Sequence, residues 1–263
     1  MKKLCVIGNP IEHSLSPKLH NHWIKRHKLD FIYEKHLLEK SDLENFINDI
    51  RSNKVFGCNV TVPYKQDIIQ YCDDLTNTAK NTNSVNTIFF KDNKIMGDNT
   101  DVLGFQKSLN EVNYIFKGKS ALIIGAGGVV PSIIQALKNL EVLNIHILNR
   151  TKENALKITT KYPDIHVHDW GNIEDVDIYI NATSIELQQG QEINLDFSNQ
   201  KNKLFYDVIY YPEKTKFLKQ AEINNNRIIN GKMMFLYQAQ AAFKIWTNIN
   251  PSVTQEEIAL IHD

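Results

Sequence analysis

Short apolar runs bounded by turn residues alternate with segments of helical period along the whole chain. That alternation predicts an α/β fold with largely parallel sheets. Leu4–Gly8 reads as a strand, followed by a helix from Pro17 to about Lys28 that a proline opens near its first turn. Asp30–Lys35 is strand-like, and Ser41-Asp42-Leu43-Glu44 has the Ser-x-x-Glu form of a capping box opening a second helix. Val55–Val60 is the next strand. Val85–Phe90, Lys91-Asp92-Asn93-Lys94 and Ile95–Gly97 predict a hairpin. Val102, Phe105, Leu109 and Val112 then recur at helical spacing.

A second lobe opens with Ser120–Ile124, an uninterrupted apolar strand of the kind covered on both faces. A glycine loop, a helix to about Asn139, a strand at Asn144–Leu148 and a helix from about Lys152 follow. Asp177–Ile180, Leu204–Val208 and Arg227–Ile229 are further strands. Beyond Gly231, Leu236, Ala239, Phe243 and Trp246 form an apolar helical stripe expected to pack back on the first lobe. The expected organisation is two domains, 1–101 with 235–263 returning to it, and 102–234 as a Rossmann-like domain. Joining helices near Asp101–Val112 and Phe235–Asn248 are expected to leave a cleft between the domains.

Length permits this, since 263 residues suffice for two cores. Lys+Arg and Asp+Glu balance at 30 each, which argues against nucleic acid or anionic lipid as partner. No apolar run approaches a membrane span, and the apolar stretch after Met1 is too short for a signal peptide. Cys5, Cys58 and Cys72 are dispersed, as expected of reduced thiols in the cytoplasm. The nine histidines show no HExxH or similar spacing, so no metal site is expected.

Three polar runs carry candidate chemistry: His13-Ser14-Leu15-Ser16-Pro17, Gly57 through Lys65, and Gly97-Asp98-Asn99-Thr100-Asp101. They offer one amine, one carboxylate and neutral donors, an inventory suited to proton transfer on a small, hydroxylated anion. Ser14 and Ser16, two apart on an extended segment, project the same way and can reach one anion, although Ser-Leu-Ser-Pro also suits a helix cap. Gly125-Ala126-Gly127-Gly128-Val129 sits between a strand and a helix, where Gly125 permits the turn and Gly127 lets backbone approach a pyrophosphate. The third motif position is Val130, which leaves the glycine pattern incomplete. After the second strand, Asn149-Arg150-Thr151-Lys152 stands where an acidic residue would take the ribose hydroxyl of NAD. A guanidinium there favours NADP. The chain therefore reads as an oxidoreductase.

These blocks, in order and over nearly the whole chain, resemble the shikimate dehydrogenase family. The matching text is Val6 through Pro17, Asn59 through Lys65, Ser84-Val85-Asn86-Thr87, Gly97 through Asp101, Gly125–Gly128, Asn149-Arg150-Thr151, Tyr206 through Tyr210, and Gly231 through Gln238. The resemblance implies reversible NADPH-dependent reduction of 3-dehydroshikimate to shikimate, a step of aromatic amino-acid biosynthesis, by a monomer or homodimer. It implies Lys65 as general acid/base and Asp101 as its partner. It also implies substrate contacts from Ser14, Ser16, Thr61, Asn86, Tyr210 and Gln238, and cofactor contacts from the glycine loop, Asn149–Lys152, Val208 and Gly231. The chain departs from the family at Thr82-Asn83, which precedes Ser84-Val85-Asn86-Thr87 where Gly-Ala is common before Val-Asn-Thr, and at Glu186, where glycine is usual. Two alternatives stand beside this reading: a quinate/shikimate dehydrogenase relative preferring NAD, and a non-catalytic binding protein of the same fold.

Overall fold

A computed structural model of the chain describes residues 1–187 and 191–261. They divide into two units, Met1–Gly104 with Leu236–Ile261, and Phe105–Phe235. In the first unit the order is β1 (Lys2–Gly8), α1 (Ser16–Arg26), β2 (Phe31–Leu37), α2 (Leu43–Arg51), β3 (Gly57–Val60), β4 (Asp74–Leu75), α3 (Asn77–Thr82), β5 (Thr87–Lys91) and β6 (Lys94–Asp98). Helix α4 (Asp101–Asn110) carries the chain into the second unit.

The α/β expectation holds, but this first sheet is mixed rather than largely parallel. Its strand order is β2-β1-β3-β5-β6-β4. Helical crossovers keep β2, β1 and β3 parallel. Asp92 and Asn93, at φ 49 and 61, form a tight turn with both central residues left-handed, so β5 and β6 run antiparallel. Apolar side chains of β1, α2, β3 and the hairpin close one core, with Ile7, Leu43, Ile50, Cys58, Ile88 and Ile95 wholly or almost wholly buried.

One local expectation is corrected. Ser41 does not open α2; residues Lys40–Asp42 form a 3-10 turn, and Asp42 Oδ2 accepts the Glu39 backbone N–H at 3.1 Å. A carboxylate so placed competes better than the Ser41 hydroxyl for an unpaired N–H. Helix α3 has no apolar stripe to announce it; the Thr76 hydroxyl caps it by accepting the Ala79 N–H at 3.3 Å. It ends at Asn83, φ 49, a left-handed position that asparagine tolerates better than most residues.

The second unit runs β7 (Ser120–Ile124), α5 (Val130–Asn139), β8 (Asn144–Leu148), α6 (Lys152–Thr159), β9 (His166–His168), β10 (Ile178–Asn181), β11 (Leu204–Asp207), α7 (Lys216–Ile223) and β12 (Arg227–Ile229). All its strands are parallel, in the order β12-β11-β10-β7-β8-β9. Leu122, Ile123, Ile124, Ile178, Tyr179 and Ile180 are fully buried, as strands covered on both faces require. Helix α8 (Lys232–Thr247) leads back to the first unit, and α9 (Gln255–Leu260) closes the chain. There the Trp246 indole N–H donates to the Ile88 carbonyl at 3.0 Å, fastening α8 to the hairpin. Glu257, fully buried, accepts Arg26 Nη1 at 2.8 Å and ties α9 to α1. No helix among the described residues is long and apolar enough to cross a membrane.

Candidate active site

Strands β1 and β3 are adjacent, so the loops leaving their carboxyl ends run side by side. The Thr61 N–H donates to the Ile7 carbonyl at 2.9 Å and the Asn9 N–H to the Val62 carbonyl at 3.0 Å. The first loop carries Ser14, half-buried, and Ser16, buried at the start of α1, whose N–H donates to Ser14 Oγ at 3.4 Å. In the second loop the Tyr64 N–H closes on the Thr61 carbonyl at 3.0 Å and the Tyr64 hydroxyl donates to the Leu38 carbonyl at 2.6 Å. These bonds hold the turn that presents Lys65.

Lys65 is only 9% exposed and Asp101 5%, and Lys65 Nζ lies 2.6 Å from Asp101 Oδ2. A buried ammonium and carboxylate need further partners, or desolvation outweighs their attraction. Asp101 Oδ1 takes the Asn86 amide at 2.9 Å. Asp101 opens α4, and the Asn99 side chain accepts the N–H groups of Asp101 and Val102 at 3.1 and 3.3 Å. Lys65, Asn86 and Asp101 thus form one bonded group, with Thr61 on the Lys65 turn. Gln238 is half-buried on α8. Tyr210 belongs to the second unit, where its ring packs 4.8 Å from that of Phe235.

Further polar residues, to which the sequence assigns no role, belong to this site. Asn59 pairs in register with Thr87 across β3 and β5, and both side chains are buried. The legible signal was a strong hydrogen-bonding side chain inside the otherwise apolar Val55–Val60 strand. Tyr33 is a second such residue, its hydroxyl donating to Asn59 Oδ1 at 2.7 Å.

In the second unit Gly125 turns at φ +110, and its N–H donates to the Leu148 carbonyl at 2.8 Å. Gly127 is exposed, and a Cβ built there would meet only the Ala182 carbonyl oxygen, at 4.0 Å. The space beside its backbone is open, and α5 begins at Val130 without a side-chain cap. An anion cradle needs both features: approachable backbone and helix N–H groups not consumed by a capping side chain. Val130, at the third motif position, is fully buried.

Asn149 Nδ2 donates to the Thr151 carbonyl at 2.6 Å and shapes the turn that exposes Arg150. Thr151 stands at the N-cap of α6 without a capping hydrogen bond from its side chain. Lys152 is engaged by Asp169, 2.7 Å away. No carboxylate lies within Asn149–Lys152, so the donor set suits a phosphate on the ribose. Gly231 is dictated by a close approach, because a Cβ there would sit 2.0 Å from the Val208 carbonyl oxygen.

The loop after β10 is fastened from two sides. Asn181 Oδ1 accepts the Thr183 N–H at 2.9 Å, while Asn181 Nδ2 donates to Asp207 Oδ1 at 3.0 Å. Asp207 also accepts the Ile209 N–H at 2.9 Å and the Thr215 hydroxyl at 2.6 Å. Burial outweighs these donors and pushes its carboxyl up to about 6. Glu186 reaches the start of α7, accepting the Lys216 N–H at 2.5 Å and the Phe217 N–H at 3.2 Å.

One other cluster could attract a cation: His22, Glu256 and Glu257 present ligand atoms within 4.8 Å of one another. Its innermost acid is already taken by Arg26 and by the Thr254 hydroxyl, the latter at 2.6 Å. It fastens α9 to α1.

A parallel sheet with a glycine turn, together with a buried Lys–Asp pair set among amides and hydroxyls, defines a two-unit α/β dehydrogenase. Residues 6–88 match the family model described as the shikimate dehydrogenase substrate binding domain, and residues 107–209 match that for shikimate / quinate 5-dehydrogenase. The chain is 51% identical over 261 residues to a shikimate dehydrogenase (NADP(+)) of Pelagibacter ubique, covering 99% of this chain and 98% of that protein. The crystal structure of shikimate dehydrogenase from Aquifex aeolicus superposes with a TM-score of 0.90 at 34% identity, covering 100% of this chain and 98% of that one. That of shikimate 5-dehydrogenase from Thermus thermophilus, in complex with NADP(H) and shikimate, gives 0.89 at 26%, covering 99% and 98%. The chain belongs to the shikimate dehydrogenase family.

Proposed function

We propose that this protein catalyses the reversible, NADPH-dependent reduction of 3-dehydroshikimate to shikimate in aromatic amino-acid biosynthesis. Family membership supports the reaction, and the single observation that carries the chemistry is the buried Lys65–Asp101 pair at 2.6 Å. Bound NADPH supplies a hydride to the substrate ketone. Reduction leaves an alkoxide, which needs a proton from a donor within ~3 Å. Lys65 gives that proton from Nζ and stabilises the developing charge before transfer. Asp101 holds the amine in place and accepts from a neighbouring substrate hydroxyl. Asn86 and Thr61 orient the ring hydroxyls with Gln238 and Tyr210, and Ser14 and Ser16 take the carboxylate.

Gly125, Ala126, Gly127, Gly128 and Val129 with the start of α5 would receive the pyrophosphate. Arg150, Asn149, Thr151 and Lys152 would receive the 2′-phosphate, and Val208 with Gly231 would flank the nicotinamide. The three free cysteines support a cytoplasmic setting. Steady-state oxidation of shikimate with NADP or NAD, followed by reduced-cofactor absorbance, tests the proposal. A higher kcat/KM with NADP is expected. No turnover of shikimate overturns the reaction, and a preference for NAD overturns the cofactor.

A further inference from the structure

Beneath the Lys65–Asp101 pair runs a chain of buried side chains whose hydrogens all point one way. Two backbone groups fix that direction. The Asn86 carbonyl can only accept, and it takes Asn59 Nδ2 at 3.1 Å, so Asn59 Oδ1 faces Tyr33 and the phenol must donate, at 2.7 Å. The Thr100 N–H can only donate, and it gives to Asn86 Oδ1 at 2.8 Å, so Asn86 Nδ2 faces Asp101 Oδ1 at 2.9 Å. Between them Thr87 Oγ1 accepts Asn59 Nδ2 at 3.1 Å and donates to Asn86 Oδ1 at 3.0 Å. Every link from Tyr33 to Asp101 therefore has its donor on the far side and its acceptor toward the carboxylate. Such links polarise one another and strengthen toward the terminal acceptor, more so where water is excluded. All five side chains are buried, with Tyr33 only 2% exposed and Thr87 fully enclosed.

Resting on the reading of Lys65 as proton donor and Asp101 as its holder, we propose that Tyr33 and Thr87 are positioning residues of the reaction. Through Asn59 and Asn86 they deliver an aligned set of hydrogen-bond dipoles to Asp101, which fixes the carboxylate that aims the Lys65 amine. The chain also begins beside the substrate loop, because the Ser16 hydroxyl adjoins the Tyr33 phenol. Neither Tyr33 nor Thr87 contacts substrate in this assignment; both act through the amides.

The test uses the full-length enzyme with Thr87→Val, Thr87→Ser, Tyr33→Phe and the Tyr33→Phe/Thr87→Val double variant. Thr87→Val keeps shape but breaks the chain, and kcat is expected to fall about tenfold, less than the ~10²-fold loss a ~1 Å misplacement can bring. KM for NADP should be unchanged. Thr87→Ser restores the hydroxyl and should recover most of the loss. Tyr33→Phe should fall in the same direction, and the double variant should lose less than the product of the single losses, since both break one chain. The Asp101 carboxyl carbon resonance, read by NMR without substrate, should move between wild type and Thr87→Val. Wild-type kcat in both single variants, a multiplicative double variant, or an unmoved Asp101 resonance would each overturn the proposal. An inactive wild type with a shifted Asp101 resonance would sink the assigned reaction while leaving the dipole chain intact.

Discussion

Lys65 Nζ and Asp101 Oδ2 stand 2.6 Å apart although 36 residues separate them in sequence. One rides a turn at the end of β3 and the other opens α4. Replacing Lys65 with alanine removes the only amine bonded to Asp101 among the described residues. The expected outcome is a fall in kcat of at least ~10²-fold with a modest change in KM for shikimate, the usual scale of acid–base assistance. Turnover at the wild-type rate would show that the proton comes from elsewhere.

Arg150 is exposed on a turn without an acidic residue of its own. Arg150→Ala should weaken NADP binding by roughly 1.5–3 kcal/mol, the range for a charge-assisted hydrogen bond, while NAD binding changes little. Calorimetric titration of both dinucleotides measures the difference. Equal loss for the two would place the guanidinium away from the 2′-phosphate.

The Glu186 carboxylate covers two backbone donors at the start of α7. An acid at a helix N-terminus satisfies orphan N–H groups and opposes the positive end of the helix dipole. Glu186→Ala should lower stability by about 1 kcal/mol and weaken NADPH binding through a loosened β10 loop. Glu186→Gln, which still accepts, should recover part of both. Thermal melts with and without NADPH read the two effects separately. An alanine variant that melts and binds like wild type would leave Glu186 a surface contact only.

Period and punctuation made most of this fold legible. Ala121–Ile124 and Leu204–Tyr206 are apolar and aromatic runs buried on both faces, and Asp92-Asn93 can hardly be anything but a tight turn. The mixed order of the first sheet was hidden, because strand direction depends on which crossover each strand takes, and β4 and α3 are too short and polar to show a period. At the site, Lys65, Asn86 and Asp101 stood out through polar residues crowded into stiff frames. Tyr33, Asn59 and Thr87 did not, since a polar residue on an apolar strand has the same sequence appearance whether it faces solvent or is buried against a partner. Their partners lie across a strand register that no local pattern encodes. Glu186 was visible as an oddity, but its partner lies 30 residues on, at α7.

Two buried groups give the units opposite responses to acid. His20 is fully enclosed, stacked 4.2 Å from Tyr33, with neither ring nitrogen hydrogen-bonded, and burial drives its pKa down to about 3. The unfolded chain takes up this proton below about 6.5 and the folded chain does not, so stability falls as pH drops from about 6.5 toward 3. The full effect is on the order of 5 kcal/mol. Asp207 behaves in reverse: its carboxyl sits at about 6 when folded against 3.8 as reference, so the folded state takes the proton first. Its contribution is complete below 3.8 and is lost as pH rises through about 6, by about 3 kcal/mol. Denaturant melts from pH 7 to 4 should therefore show a shallower acid loss in His20→Phe than in wild type. The phenylalanine should also be neutral or stabilising at pH 7, because it removes two unpartnered nitrogens. Asp207→Asn, which can keep its bonds if the Thr215 hydroxyl rotates, should make the acid loss steeper. If His20→Phe follows the wild-type curve across this range, the imidazole is reached by water and its burial contributes nothing to acid sensitivity.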